Sequence, residues 1–139
     1  MEKEKVEYIN AWILKAGNDL KSAFIILESD NNEKPFDSIC FHCQQAVEKY
    51  LKAYLVYLDV MFTKTHNIGQ LIELGAGLDG ELRNYLMADT LTSYGVDIRY
   101  PDDFYIPTEE DTRKAYDIAL EIKDFVRKKM KPFFSENKL

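Results

Sequence analysis

The stretch Phe36-Asp37-Ser38-Ile39-Cys40-Phe41-His42-Cys43-Gln44-Gln45-Ala46-Val47-Glu48-Lys49-Tyr50-Leu51-Lys52-Ala53-Tyr54-Leu55-Val56-Tyr57-Leu58-Asp59 decides the fold. Plotted at about 100° per residue, Ile39, Cys43, Ala46, Val47, Tyr50, Ala53, Tyr54, Tyr57 and Leu58 fall on one broad arc. That is the period of an amphipathic helix, and the width of the arc predicts a central helix touching more than one neighbour.

The same period extends outward. Tyr8, Trp12, Ala16, Leu20, Phe24 and Leu27 recur at steps of three and four, which predicts a first helix over Val6 to Ser29. After the central helix, Thr65 is the expected N-cap of a third, with Ile68, Leu71, Ile72 and Leu74 inward. A fourth helix is expected over Glu81 to Tyr94, with Leu82, Tyr85, Leu86 and Leu91 inward and Gly95 as its end. Val96 to Pro107 reads as a non-helical connector. The last helix is expected to start at Thr108 and end near Arg127-Lys128-Lys129, with Ala115, Ile118, Ala119, Ile122, Phe125 and Val126 inward. Acids in its first turn and bases in its last complement the helix dipole. All four prolines fall between these segments, and no period-two alternation appears. The fold class expected is all-α, an up-and-down antiparallel bundle of four to five helices forming a single domain over residues 1–139.

Composition narrows the function. A chain of 139 residues that is 46% apolar and 30% charged is a globular domain rather than a disordered one. Its net charge of −6 argues against a general nucleic-acid coat, whose affinity rests on Lys/Arg–phosphate contacts, but leaves room for a local basic cleft. MEKEKVEY lacks an apolar signal region, and Ala53 to Phe62 is too short for the roughly 20 residues that span a bilayer, so a cytoplasmic protein is expected.

The polar side of the central helix is where chemistry can sit. His42, Gln45, Lys49 and Lys52 fall at i, i+3, i+7 and i+10 and make one stripe, with Glu48 beside it. Imidazole, amide and two ammonium groups in a row suit phosphate oxygens; the plainer reading is a solvated face with a Glu48–Lys52 helical pair. His66 reads either as an anion contact at a helix N-terminus or as a capping neighbour. Arg99 reads either as a fork on a phosphate or, with Asp102, as a staple for the connector. Cys40 and Cys43 fall on the apolar arc and are expected buried. A zinc site would need about two further ligands where only His42 and His66 exist, and a redox pair would follow a strand. No phosphate loop, dinucleotide fingerprint, zinc-protease helix or nucleophile elbow is present. No metal or cofactor is expected.

Three blocks together resemble the HEPN domain family. Cys40 to Leu55 is similar to its F-H-x-Q-Q-A-x-E-K-x-L-K-A helix, Thr65-His66-Asn67-Ile68-Gly69-Gln70-Leu71 to its T-H-x-(I/L)-x-x-L segment, and Arg99-Tyr100-Pro101-Asp102 to its R-Y-P-D loop. The order and spacing agree over nearly the whole chain. The resemblance implies a helical bundle, usually a homodimer, that binds a nucleotide or accompanies a minimal nucleotidyltransferase. It further implies that His42, Gln45, Lys49, Lys52, His66 and Arg99 converge on one nucleotide-binding cleft, with Tyr100, Pro101 and Asp102 as loop support. Some family members are metal-independent RNases and toxins that carry an R-x(4–6)-H motif. Here the first arginine is Arg83, after both histidines, so that motif is absent. A non-catalytic role is the expectation. The alternative is an RNase of toxin type with non-standard residues drawn from His42, Lys49, His66 and Arg99.

Overall fold

The computed structural model describes residues 1–95 and 106–137. Arg99, Tyr100, Pro101 and Asp102, and most of the expected connector, lie outside the described residues. Five α-helices appear among the described residues: α1 (Lys3–Leu27), α2 (Phe36–Tyr57), α3 (Ile68–Ala76), α4 (Glu109–Lys129) and α5 (Lys131–Glu136). A 3-10 helical element, η1 (Gly80–Gly95), stands between α3 and α4. There is no strand among the described residues, and none of the described helices is long and apolar enough to cross a membrane.

The long elements alternate in direction. Lys5 at the start of α1 meets Asp59, just past the end of α2, so the two helices are antiparallel. Cys40 touches Thr112 near their N-termini while Tyr54 packs edge-on against Phe125 near their C-termini, so α2 and α4 run parallel. Between them η1 returns: Asp79, just before it, bonds Tyr54, and Gly95 at its end lies against Gln44. The all-α, up-and-down expectation holds, and α2 is the central rod, packing on α1, α3, η1 and α4.

The α1–α2 contact is the most extensive in the molecule. In α1 the buried residues are Ile9, Ile13, Ala16, Leu20, Ala23 and Leu27, spaced four and three alternately. Ile39, Cys43, Ala46, Tyr50 and Ala53 of α2 are buried in the same rhythm. This is the a/d spacing of two helices packed nearly side by side. The expected α1 face was turned too far towards its aromatics. Tyr8 and Phe24 are half exposed, because two bulky rings suit a rim better than a seam that includes two alanines. Cys40 and Cys43 are fully buried, as their place on the arc predicts.

Caps fix the ends. Asp59 takes φ 60°, with Val60 N–H bonded to Leu55 O and Asp59 N–H to Val56 O, the Schellman closure in which glycine is usual. Thr108 and Asp111 cap α4 reciprocally, as its sequence predicts. The N-cap of α3 is Asn67, not Thr65: Asn67 Oδ1 accepts from Gln70 N, and Thr65 Oγ1 instead accepts from Asn67 N. Leu74, expected inward, lies on the outer side of α3, where Gly75 and Ala76 are buried instead.

The fourth element departs most from expectation. It is 3-10 rather than α, with a kink at Tyr85. Its inward residues are Leu82, Ala88 and Leu91, with Tyr85 partly buried, one every third position. That is the 3-10 period, which leaves Leu86 outside. The closing helix α5 was not expected, since Pro132 reads as a stop. It sits in the first turn of α5, where a missing N–H costs nothing, and Phe133 anchors the segment in the core.

Burial pushes the Cys40 thiol up from 9.0 to about 11 and Cys43 higher still. A raised thiol favours the folded state fully below pH 9, and that contribution fades as pH rises through 9 towards 11 and beyond. Chemical denaturation of the wild type should therefore lose stability between pH 9 and 11 more steeply than Cys40→Ala. Parallel pH profiles would refute the assignment.

Candidate functional site

The polar residues of α2 are organised by two carboxylates. The first is Asp19, on α1 at the flank of the seam between Ala16 and Ala23. His42 Nδ1 lies 2.9 Å from its Oδ1, and Lys49 Nζ donates to its Oδ2 at 2.5 Å. The side chains are 30% (His42), 19% (Lys49) and 15% (Asp19) exposed, so this cluster reaches solvent. A carboxylate accepting at Nδ1 holds the proton there and leaves Nε2 facing away, with no partner among the described residues.

The second carboxylate is Glu48, whose side chain is only 4% exposed. Lys52 Nζ donates to Oε2 at 2.9 Å and His66 Nδ1 lies 2.8 Å from Oε1. Lys52 is itself 7% exposed, with its ammonium 5.3 Å from the Trp12 ring centre and 5.8 Å from that of Phe62. An ammonium taken this far from water is stable only because a carboxylate and two ring faces replace hydration. His66 remains two-thirds exposed at the mouth.

Two glutamines lie between the clusters. Gln45 Nε2 donates to Gln44 Oε1 at 2.6 Å, and Gln44 Nε2 donates to Glu48 Oε1 at 3.1 Å. Gln44 has no exposed surface, and a Cβ on Gly95 would come within 2.7 Å of its carboxamide. Glycine at 95 therefore lets η1 approach the amide.

Of the residues the sequence singled out, the structure groups His42 with Lys49 on Asp19, and Lys52 with His66 on Glu48. Gln45 touches the Glu48 side through Gln44. The four-residue stripe is thus one line on the helix wheel but two sites in space, one partly exposed throughout and one whose carboxylate and ammonium are enclosed. Neither reading of the Glu48–Lys52 pair as an exposed helical bridge nor of Lys52 as a free cation fits its burial. Asp19 and Gln44 were missed. Gln44 carries a signal, since it falls about 200° from His42, between Leu51 and Leu55, where a polar side chain must be buried. Asp19 carries only its place beside the heptad face. A cavity of about 560 Å³ lies elsewhere, lined by Tyr8, Val56, Val60, Met61, Phe62 and charged neighbours.

Removing one partner of a buried pair leaves an unmatched charge. Glu48→Ala should cost about 3–5 kcal/mol in urea denaturation, whereas Glu48→Leu combined with Lys52→Met should recover most of it. A loss below about 1 kcal/mol for Glu48→Ala would mean that the network is solvated.

A family model for the HEPN domain matches residues 9–129. The crystal structure of ST0689, an archaeal HEPN homologue, superimposes with a TM-score of 0.67 at 25% identity, covering 88% of this chain and 97% of that one. The crystal structure of TT1696 from Thermus thermophilus gives 0.69 at 25% identity, covering 87% and 97%. A search of curated proteins returned no match. The matched span takes in α2, α3 and α4 whole, with both carboxylate clusters, and the chain belongs to the HEPN domain family.

Proposed function

We propose that this chain is a nucleotide-binding HEPN module that accompanies a minimal nucleotidyltransferase in the cytoplasm as a homodimer, without catalysis of its own. The observation that carries the reading is the pair formed by His42 and Lys49 on the solvent-reaching edge of α2. The Lys49 ammonium is a donor of the kind that phosphate oxygens accept, and the outward Nε2 of His42 beside it donates as well when the ring carries its second proton. Gln45 follows His42 by one turn of the same helix and adds an amide. Arg99, from the R-Y-P-D block, supplies a further cation in this reading, with Tyr100, Pro101 and Asp102 supporting it. Lys52 and His66 act from behind: bonded to Glu48, they hold the start of α3 against α2 and keep the α2 edge rigid.

One observation favours a second reading. The Asp19–His42 pair aims Nε2 outward, the arrangement in which an imidazole can accept a proton from a ribose hydroxyl. That would be an RNase built without the family's arginine–histidine motif.

Calorimetric titration with ATP, GTP and the corresponding nucleosides tests the first reading. The triphosphates should bind and the nucleosides should not, affinity should fall with salt, and Lys49→Ala should weaken binding by about 1–3 kcal/mol. Equal affinity for nucleoside and triphosphate, or indifference to Lys49→Ala, would return the stripe to an ordinary helix face. Turnover of single-stranded RNA in chelator, lost in His42→Ala, would establish the second reading instead.

A further inference from the structure

We infer that the cavity of about 560 Å³ between the start of α1 and the end of α2 is a binding site for a small organic amine, an ammonium carried on an apolar body. It shares no residue with the His42–Lys49 edge, and the inference does not rest on phosphate binding. Its volume falls within the roughly 300–1,000 Å³ of small-molecule sites. Val56, Val60 and Met61 give it apolar surface, and Met61, 90% exposed, stands at the rim. Tyr8 and Phe62 give it two rings. Both meet Trp12 edge-on, with 5.9 and 6.4 Å between ring centres, so a third ring holds them in place.

The charges on the wall select the sign of the ligand. Glu2, Glu4 and Asp59 bring three carboxylates, and Lys5 brings the one ammonium. Lys5 Nζ is taken by Asp59 Oδ1 at 2.6 Å, a contact that also ties α1 to the residues after α2. Glu2 and Glu4 have no ion-pair partner among the described residues. The helix dipole places about half a positive charge at the start of α1, which offsets only part of these two full charges. An anion is therefore repelled, and a small hydrated cation gains nothing from the apolar wall. An amine on an apolar body gains from both. The same aromatic group already holds one ammonium, since Lys52 Nζ lies 5.3 Å from the Trp12 ring centre and 5.8 Å from that of Phe62. Tyr8, half exposed and lining the cavity, offers a ring to a second.

Trp12, the single tryptophan, reports the site because it touches both rings. The full chain is titrated at constant ionic strength with three probes: octylamine, octanoate, which has a chain of the same length and the opposite charge, and ammonium chloride, which has the charge alone. Octylamine should change Trp12 emission saturably and bind at least about tenfold more tightly than either of the others. Glu2→Gln combined with Glu4→Gln should weaken octylamine about fivefold without weakening octanoate. Tyr8→Leu, which keeps apolar bulk and removes the ring, should weaken octylamine about threefold. Octanoate matching octylamine would make the cavity a plain apolar groove, and ammonium chloride matching it would make the site a plain acidic patch; either result overturns the inference. So does an octylamine affinity unchanged by the paired glutamate substitutions or by Tyr8→Leu, or the lack of any saturable response of Trp12.

Discussion

The close seam between α1 and α2 is the constraint on which the rest depends. Ala16 and Ala23 on one helix and Cys43, Ala46 and Ala53 on the other are all buried, small enough for the backbones to draw together. Gly17 continues this, with the Tyr50 hydroxyl 3.8 Å from where its Cβ would be. Because the helices lie this near, the short side chain of Asp19 spans from α1 to two residues of α2 that are seven positions apart. A larger residue at Ala46 would separate the helices and withdraw the carboxylate, so packing and electrostatics at this edge share one cause.

Burial makes different things of two similar acids. Asp19 and Glu48 each hold one lysine and one histidine, yet all three members of the first cluster are partly exposed, whereas in the second the Glu48–Lys52 pair is enclosed by Trp12, Phe62 and the amide of Gln44 and only His66 reaches solvent. In the closed cluster the charges are committed to one another, because separating them would strand an ion away from water. This is a poor arrangement for a ligand and a good one for fixing the α2–α3 corner in one geometry. In the open cluster hydration softens that cost, so partners can be exchanged. In the proposed reading, binding belongs to the first cluster and support to the second.

Much of the fold was legible because it rests on period. The three- and four-residue steps of α2 and α4 name their buried faces directly, and Thr108 with Asp111 announces a cap. Where several periods compete, the sequence is ambiguous. Leu82, Tyr85 and Leu91 satisfy an α pattern as well as a 3-10 pattern, and only the positions of Ala88 and Leu86 separate them. The site was half legible. A helix wheel orders residues around one axis, so it found His42, Lys49 and Lys52 but carried no information on which neighbour each would face. Asp19 lies 23 residues from His42, and nothing local marks their contact. The burial of Lys52 likewise depends on Trp12 and Phe62, which come from other elements.

The central claim is that Lys49 is the accessible ammonium of this face and Lys52 the enclosed one. Reductive methylation of the folded protein, read residue by residue by mass spectrometry with and without tripolyphosphate, tests it most directly. Lys49 should be modified and tripolyphosphate should protect it, while Lys52 should stay unmodified in both conditions. Labelling of Lys52 as fast as Lys49, or Lys49 reacting equally in the presence of tripolyphosphate, would contradict the division of the stripe into a binding edge and a buried brace.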